Sequence, residues 1–196
     1  MNINQGGLSL AFCLLLTATV VLAESGSLIV SGAITTSTCT VLGVISDKDI
    51  GTGQPEINPS ITLGNLSEYD NSANSFRWFQ IHLKDCYASA SQNRIRIRLS
   101  SPYADKNGYL GNAISNGAQG KVIVFYERNL DTNNSQFLPI GQGRSATAFR
   151  TLPMAGNTGV DGTIRFGFIA SALDAYNETV TPGPFTTSVN YEIEYQ

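Results

Sequence analysis

Alternation with a period of two runs along most of this chain, and no segment holds a helical period over three turns. Leu28, Val30, Gly32 and Ile34 fall on one face of a first strand, with Ile29, Ser31, Ala33 and Thr35 on the other. Further strands are expected over Cys39–Ile45, Ile61–Leu66, Phe79–Leu83 and Arg94–Leu99, then over Val122–Tyr126, Ile164–Ile169 and Val189–Tyr195. Val122–Tyr126 is apolar throughout, the pattern of a strand covered on both faces. Between these runs stand Asp105-Lys106-Asn107-Gly108, Asp131-Thr132-Asn133-Asn134, Gly156-Asn157, Asp161-Gly162 and Pro182-Gly183-Pro184. Gly and Asn supply the positive φ of tight turns. Short strands punctuated this way predict an all-β, antiparallel sandwich in one domain.

The N-terminus stands outside the pattern. Leu8–Ala23 is an apolar run, short for a bilayer, that ends in Val21-Leu22-Ala23 and gives way at once to Glu24-Ser25-Gly26-Ser27. Residues 1–23 are therefore read as a secretory signal, although residues 1–7 hold no Lys or Arg. Cleavage would remove Cys13 and leave Cys39 and Cys86, an even pair in an oxidising compartment, which reads as a disulfide. A loop of that length is worth roughly 4 kcal/mol in the chain-entropy account. The spacing offers neither a C-x-x-C redox pair nor a zinc set.

Composition narrows the chemistry. The 196 residues carry 12 Lys+Arg, 15 Asp+Glu and one His, a net charge of −3, which gives no general attraction to nucleic acid. His82 points away from Phe79, Ile81 and Leu83, so it is read as a solvated or interface residue. Gly51-Thr52-Gly53 and Gly141-Gln142-Gly143 are incomplete as phosphate loops, and Asp131-Thr132-Asn133 lacks the rest of a calcium loop. Glu192 and Glu194 are spaced for the outer face of a strand and read as solvated. Arg94, Arg96 and Arg98 share one strand face and would repel unless solvated or answered by carboxylates. Trp78 lies before the second cysteine rather than soon after the first, so it does not fit an antibody-type core. No catalytic set, metal site or cofactor site can be assembled, and an enzyme is not expected.

Both ends of the processed chain are strands, and here the residues carry a resemblance. Gly183 is fourteenth from the end, Tyr195 is penultimate, and apolar residues alternate between them. This resembles the C-terminal motif of chaperone–usher pilins. Ser37-Thr38-Cys39-Thr40-Val41 and Phe79–Cys86 are similar to the family's two cysteine segments, Ile61-Thr62-Leu63-Gly64 to its V-x-L-G strand, and Leu28–Ile34 to its N-terminal donor strand. Pro184-Phe185 departs from the family, which more often has small residues there.

The resemblance implies an incomplete Ig-like antiparallel sandwich, a pilin domain lacking its last strand and completed by donor-strand exchange. Residues 24–36 would be the donor extension and residues 37–196 the pilin domain. Leu28, Val30 and Ile34 would enter pockets of a neighbouring subunit, with Gly32 where a side chain would clash. Gly183, Val189, Tyr191, Ile193 and Tyr195 would flank this subunit's own groove. The implied partners are a periplasmic chaperone, an outer-membrane usher, neighbouring pilus subunits and, through the assembled pilus, a host receptor; no nucleic acid and no cofactor is implied. The implied location is the cell-surface fimbrium. The short extension, with Cys39 soon after Ala23, tilts the reading towards a minor or tip-proximal adaptor. A single-domain adhesive tip and a chain terminator stay open beside it; a separate lectin domain has no room.

Overall fold

A computed structural model describes residues 25–33, 39–46, 52–66, 76–141 and 145–196. The expected signal segment, residues 1–23, lies outside them, as do Glu24, Ile34 and residues 35–38 of the extension. Ten strands follow in chain order: β1 (Ser25–Ala33), β2 (Thr40–Ser46), β3 (Ser60–Asn65), β4 (Phe76–Lys84), β5 (Arg94–Ser100), β6 (Lys121–Arg128), β7 (Ser135–Phe137), β8 (Arg150–Thr151), β9 (Ile164–Asp174) and β10 (Phe185–Tyr195). They form two five-stranded sheets, β3-β1-β10-β5-β8 and β2-β4-β9-β6-β7. Among the described residues there is no helix.

The alternation seen in the sequence becomes the core. Leu28 and Val30, Ile61 and Leu63, Ile95, Ile97 and Leu99, and Val189 and Ile193 point inward from the first sheet. They meet Phe79, Ile81, Leu83, Ile123, Phe125, Phe166 and Phe168 from the second, all buried. Phe79 stacks on Phe168 at 5.2 Å between ring centroids and meets Phe125 edge-on at 6.0 Å, which locks the middle of that sheet. Val124, on the opposite face of β6, is also buried, as expected of the apolar run. Lys121 is buried too, and its ammonium pairs with Asp174 directly across in β9.

Cys39 and Cys86 are joined, 47 positions apart, just before β2 and just after β4. Thr40 pairs with Lys84 immediately inside that bridge, so the disulfide closes the end of a ladder already in register. Trp78 lies on the outer side of β4, with Arg128 stacked 3.2 Å above its ring and Phe76 6.3 Å away.

One pairing departs from an antiparallel sandwich. β1 runs parallel to β10, from Gly26 opposite Phe185 to Ala33 opposite Glu192. On its other side it is antiparallel to β3. The position that the sequence reading reserves for another chain's strand is thus filled by the chain's own N-terminal segment. The physical reason is proximity: a tethered apolar strand sees its own groove at an effective concentration that no separate strand matches.

Candidate strand-acceptor groove

The groove is the trough between β3 and β10, floored by the second sheet. On its β10 side the core-facing residues are Phe185, Thr187, Val189 and Tyr191, each buried. On the β3 side they are Ile61 and Leu63, with Leu66 beyond the strand's end. Leu28 and Val30 fill the middle and are completely buried. Burying two such side chains contributes on the order of 1.5–3 kcal/mol each. Ser27, Ile29 and Ser31 form the outward face, where Ser27 Oγ and Thr186 Oγ1 share a hydrogen bond at 3.0 Å.

Two glycines set the ends of the trough. A Cβ on Gly32 would fall inside the Tyr191 ring, which occupies that space itself. A Cβ on Gly26 would come 2.6 Å from Leu66 Cδ1. The groove's own large side chains therefore plug both ends, and an inserted strand fits only if it is bare there. Burial also pushes the Tyr191 phenol above its ordinary pKa, keeping it neutral against β1.

The expected site residues are partly brought together. Leu28, Val30 and Gly32 meet Val189 and Tyr191 within one register, whereas Ile34 lies outside the described residues. Ile193 and Tyr195 lie beyond the described part of β1, and on the other edge of β10 they pair with Ile97 and Ile95 of β5, as Tyr191 does with Leu99. Gly183 sits below the groove with φ +157, where a Cβ would come 2.5 Å from Ala118 N, so its bareness admits the backbone of residues 117–118. Asn112 clamps the same corner. Its Nδ2 donates to Ala118 O and Pro184 O at 3.0 and 2.9 Å, and its Oδ1 accepts from Ile114 N and Thr186 N. The departure at Pro184-Phe185 thereby acquires a role, because Phe185 is buried and extends the groove by one large residue.

Four residues of the groove escaped the sequence reading: Gly26, Phe185, Thr187 and Leu66. The signal for the first three was available. The two-residue alternation that marks Val189 continues back through Thr187 to Phe185, and Gly26 stands on the same face as Gly32. Nothing in the local sequence marks Leu66, which acts from beyond the end of β3.

Away from β1, the reading of Glu192 and Glu194 as solvated needs correction for Glu194. Its carboxylate accepts from Arg96 Nε at 2.6 Å and from Arg98 Nε at 2.5 Å, so it answers the arginine row. Burial pushes its pKa up, but the two guanidinium hydrogen bonds and charges outweigh that and hold it below the usual carboxylate range. Phe149 lies under the guanidiniums of Arg94 and Arg96, at 5.1 and 4.4 Å from its ring centroid. His82 is half-buried, and its Nε2 lies 2.9 Å from Gln80 Oε1. Burial, then the charge of Arg165, lower its pKa.

No family model matches the sequence, and no curated protein matches it. Solved structures do. The structure of a chaperone–usher pilus, described for the uncoiling of its rod, superposes with a TM-score of 0.55 at 17% identity, covering 100% of this chain and 99% of that one. The P pilus rod subunit PapA gives a TM-score of 0.54 at 18% identity over 82% of this chain and 100% of its own. A Burkholderia pseudomallei antigen and type I fimbria protein is 20% identical across 87% and 95%, with a TM-score of 0.44. The chain has the Ig-like, all-β fold of chaperone–usher pilus subunits.

Proposed function

We propose that the protein is a structural subunit of a chaperone–usher fimbria, assembled by donor-strand exchange and supporting adhesion of the cell that bears it. The observation that carries this reading is the placement of β1. It completes the first sheet between β3 and β10, yet it comes from the chain's N-terminal segment and pairs with no other strand. Without it, β3 and β10 would present unpaired backbone beside an apolar trough, a surface that aggregates unless another strand covers it. Strand addition satisfies both needs at once: main-chain hydrogen bonds along the edge and side chains in the trough.

On this reading residues 1–23 direct export, a periplasmic chaperone covers the groove, and the outer-membrane usher exchanges that cover for the extension of the next subunit. Residues 24–36 are the donor extension and residues 37–196 the accepting domain. Leu28, Val30 and Ile34 are the inserted side chains, and Gly32 lies over the Tyr191 ring. The short extension favours a minor or tip-proximal adaptor position.

Deletion of residues 24–36 tests the assignment. The deleted chain is expected to co-purify with the chaperone and to be missing from fibres in immunogold electron microscopy. Normal incorporation into fibres would sink it.

A further inference from the structure

The outer faces of the two sheets are unlike. Outward from the first stand Ser188, Asn190, Glu192 and Glu194 of β10 beside Arg96 and Arg98 of β5, the wet face expected of an antiparallel sheet. Outward from the second, Trp78, Ile169, Tyr126 and Phe137 lie opposite one another in a single row across β4, β9, β6 and β7. At the usual strand spacing that row is about 14 Å long. Beside it Phe76 and Ser171 face each other. These side chains enclose an open slot of about 300 Å³ along β9, with Ile169 and Ser171 as its floor. Phe76 and Trp78 form one wall, Tyr126 the other, and Ser135 stands on the rim.

The next row holds Gln80, Gly167, Arg128 and Ser135. Gly167 has no side chain to obstruct, and Arg128 reaches over it to lay its guanidinium on the Trp78 ring, 3.2 Å from the centroid. Its Nη2 donates to Asn133 Oδ1 at 3.0 Å, which holds the group from the other side. Stacking uses the flat face of a guanidinium and leaves its edge free, and Arg128 makes no ion pair among the described residues. The hydroxyls of Tyr126, Ser135 and Ser171 also have no hydrogen-bond partner among the described residues. The Trp78 Nε1–H is buried and finds no acceptor, an uncommon state for a buried donor.

We propose that this slot binds an acidic pyranose, a sugar ring carrying one carboxylate. The C–H groups of the ring pack on the apolar floor and walls, its hydroxyls meet Tyr126, Ser135 and Ser171, and its carboxylate takes the free edge of Arg128 in a charge-assisted contact. Charge and area select this occupant. One cation without a carboxylate partner, at the edge of an apolar slot, complements a single negative charge. The row and its neighbour cover on the order of 100–200 Å², against about 800 Å² per partner in a stable protein interface. A folded partner gains too little there, whereas a ligand of one or two rings is well covered. The site lies on the sheet that β1 does not join, so it is independent of how the groove is filled.

Trp78 is the chain's one tryptophan, so its fluorescence reports the slot directly. The test is titration of the intact protein with three probes: lactose capped by N-acetylneuraminic acid, a disaccharide ended by glucuronic acid, and lactose itself. At least one acidic probe is expected to change the emission saturably at millimolar concentration or below, with lactose binding at least tenfold more weakly. A response to the first alone assigns the carboxylate to a sialylated glycan, to the second alone to a uronic acid, and to both to any acidic ring. Arg128→Gln is expected to weaken acidic binding at least tenfold and to leave lactose unchanged. Arg96→Gln, on the outer face of the other sheet, is expected to change neither. Calorimetry repeats the Arg128→Gln measurement, because losing the guanidinium alters the emission of Trp78 itself. An intact Cys39–Cys86 bridge and an unchanged circular dichroism spectrum certify the fold of each variant. Equal affinity for lactose and the acidic probes would overturn the proposal, as would undiminished acidic binding by folded Arg128→Gln or no saturable response to any probe. Emission that shifts with protein concentration alone, in a protein that sediments as a dimer, would give the slot to a second copy and overturn it likewise.

Discussion

The two flanks of β10 are built on opposite plans. On the β5 side the pairing is antiparallel and held by polar locks. Glu194 bridges Arg96 and Arg98, and Gln196 exchanges backbone hydrogen bonds of 2.9 Å with Arg94 in both directions. On the β1 side the pairing is parallel, β1 carries no charged residue, and its core face is two aliphatic side chains between two glycines. One described side-chain hydrogen bond, Ser27 to Thr186, joins the two strands there. Polar locks fix a register and are costly to break piecemeal, whereas apolar complementarity and a bare backbone can be remade with another strand of the same pattern. Under the proposed function, the contrast marks the β5 edge of β10 as the permanent one and the β1 edge as the one where strands exchange.

The comparison can be broken by putting a charge on each flank. Leu28→Asp is expected to remove β1 from the trough, because an unpaired carboxylate in that site costs several kcal/mol and β1 leaves rather than carry it inside. The variant is expected to aggregate and to regain a monomeric state when a peptide of the sequence of residues 25–33 is supplied. Leu99→Asp, on β5, is expected to unfold the domain with no rescue by that peptide. Size-exclusion chromatography with and without peptide reads both outcomes, and rescue of both or of neither would erase the distinction.

Next in size is the disulfide. Replacing Cys39 and Cys86 together with Ser is expected to cost roughly 2–4 kcal/mol by chemical denaturation. Cys39 follows the β1 segment, so β1 should lose amide protection at lower denaturant than β5 does. Gly32→Leu then sharpens the question of fit. Its side chain would collide with Tyr191, and overpacking of this kind costs about 1–3 kcal/mol. A matching Tyr191→Ala is expected to recover part of that loss in a double-mutant cycle.

The smallest effect belongs to the β5 side. Glu194→Gln is expected to cost about 1 kcal/mol or less near neutral pH, because the arginines it meets are partly exposed. The sign with pH follows from the lowered pKa. In the parent, this contribution is complete above the ordinary carboxylate pKa and is lost as pH falls through the lower value in the folded protein. The parent and Glu194→Gln stability curves should therefore converge in acid and separate as pH rises. Convergence in the opposite direction would contradict the ion-pair assignment.

Much of this was legible in the sequence because a strand with one buried face writes its period into the chain. Leu28, Val30, Ile95, Ile97, Leu99, Phe79, Ile81 and Leu83 all fall on the face that alternation assigns to them. The bridge followed from reading residues 1–23 as a signal, which leaves Cys39 and Cys86 as a pair. Alternation gives a face, not a neighbour or a direction, so nothing in Leu28–Gly32 says that β1 runs parallel to β10 in the same chain. β7 and β8 are three and two residues long and too short to carry a period. The role of Glu194 depends on Arg96 and Arg98 across the ladder, nearly a hundred residues away, and local spacing cannot report that.

Amide hydrogen exchange on the intact protein, followed by mass spectrometry, tests the difference between the two flanks most directly, because it reads opening strand by strand. The account expects the amides of residues 25–33 to exchange through a partial opening while those of residues 94–100 stay protected, with the two sets separated by at least tenfold in rate. Exchange of both strands together, at the rate of global unfolding, would mean that β1 is as permanent a part of the sheet as β5, and would contradict it.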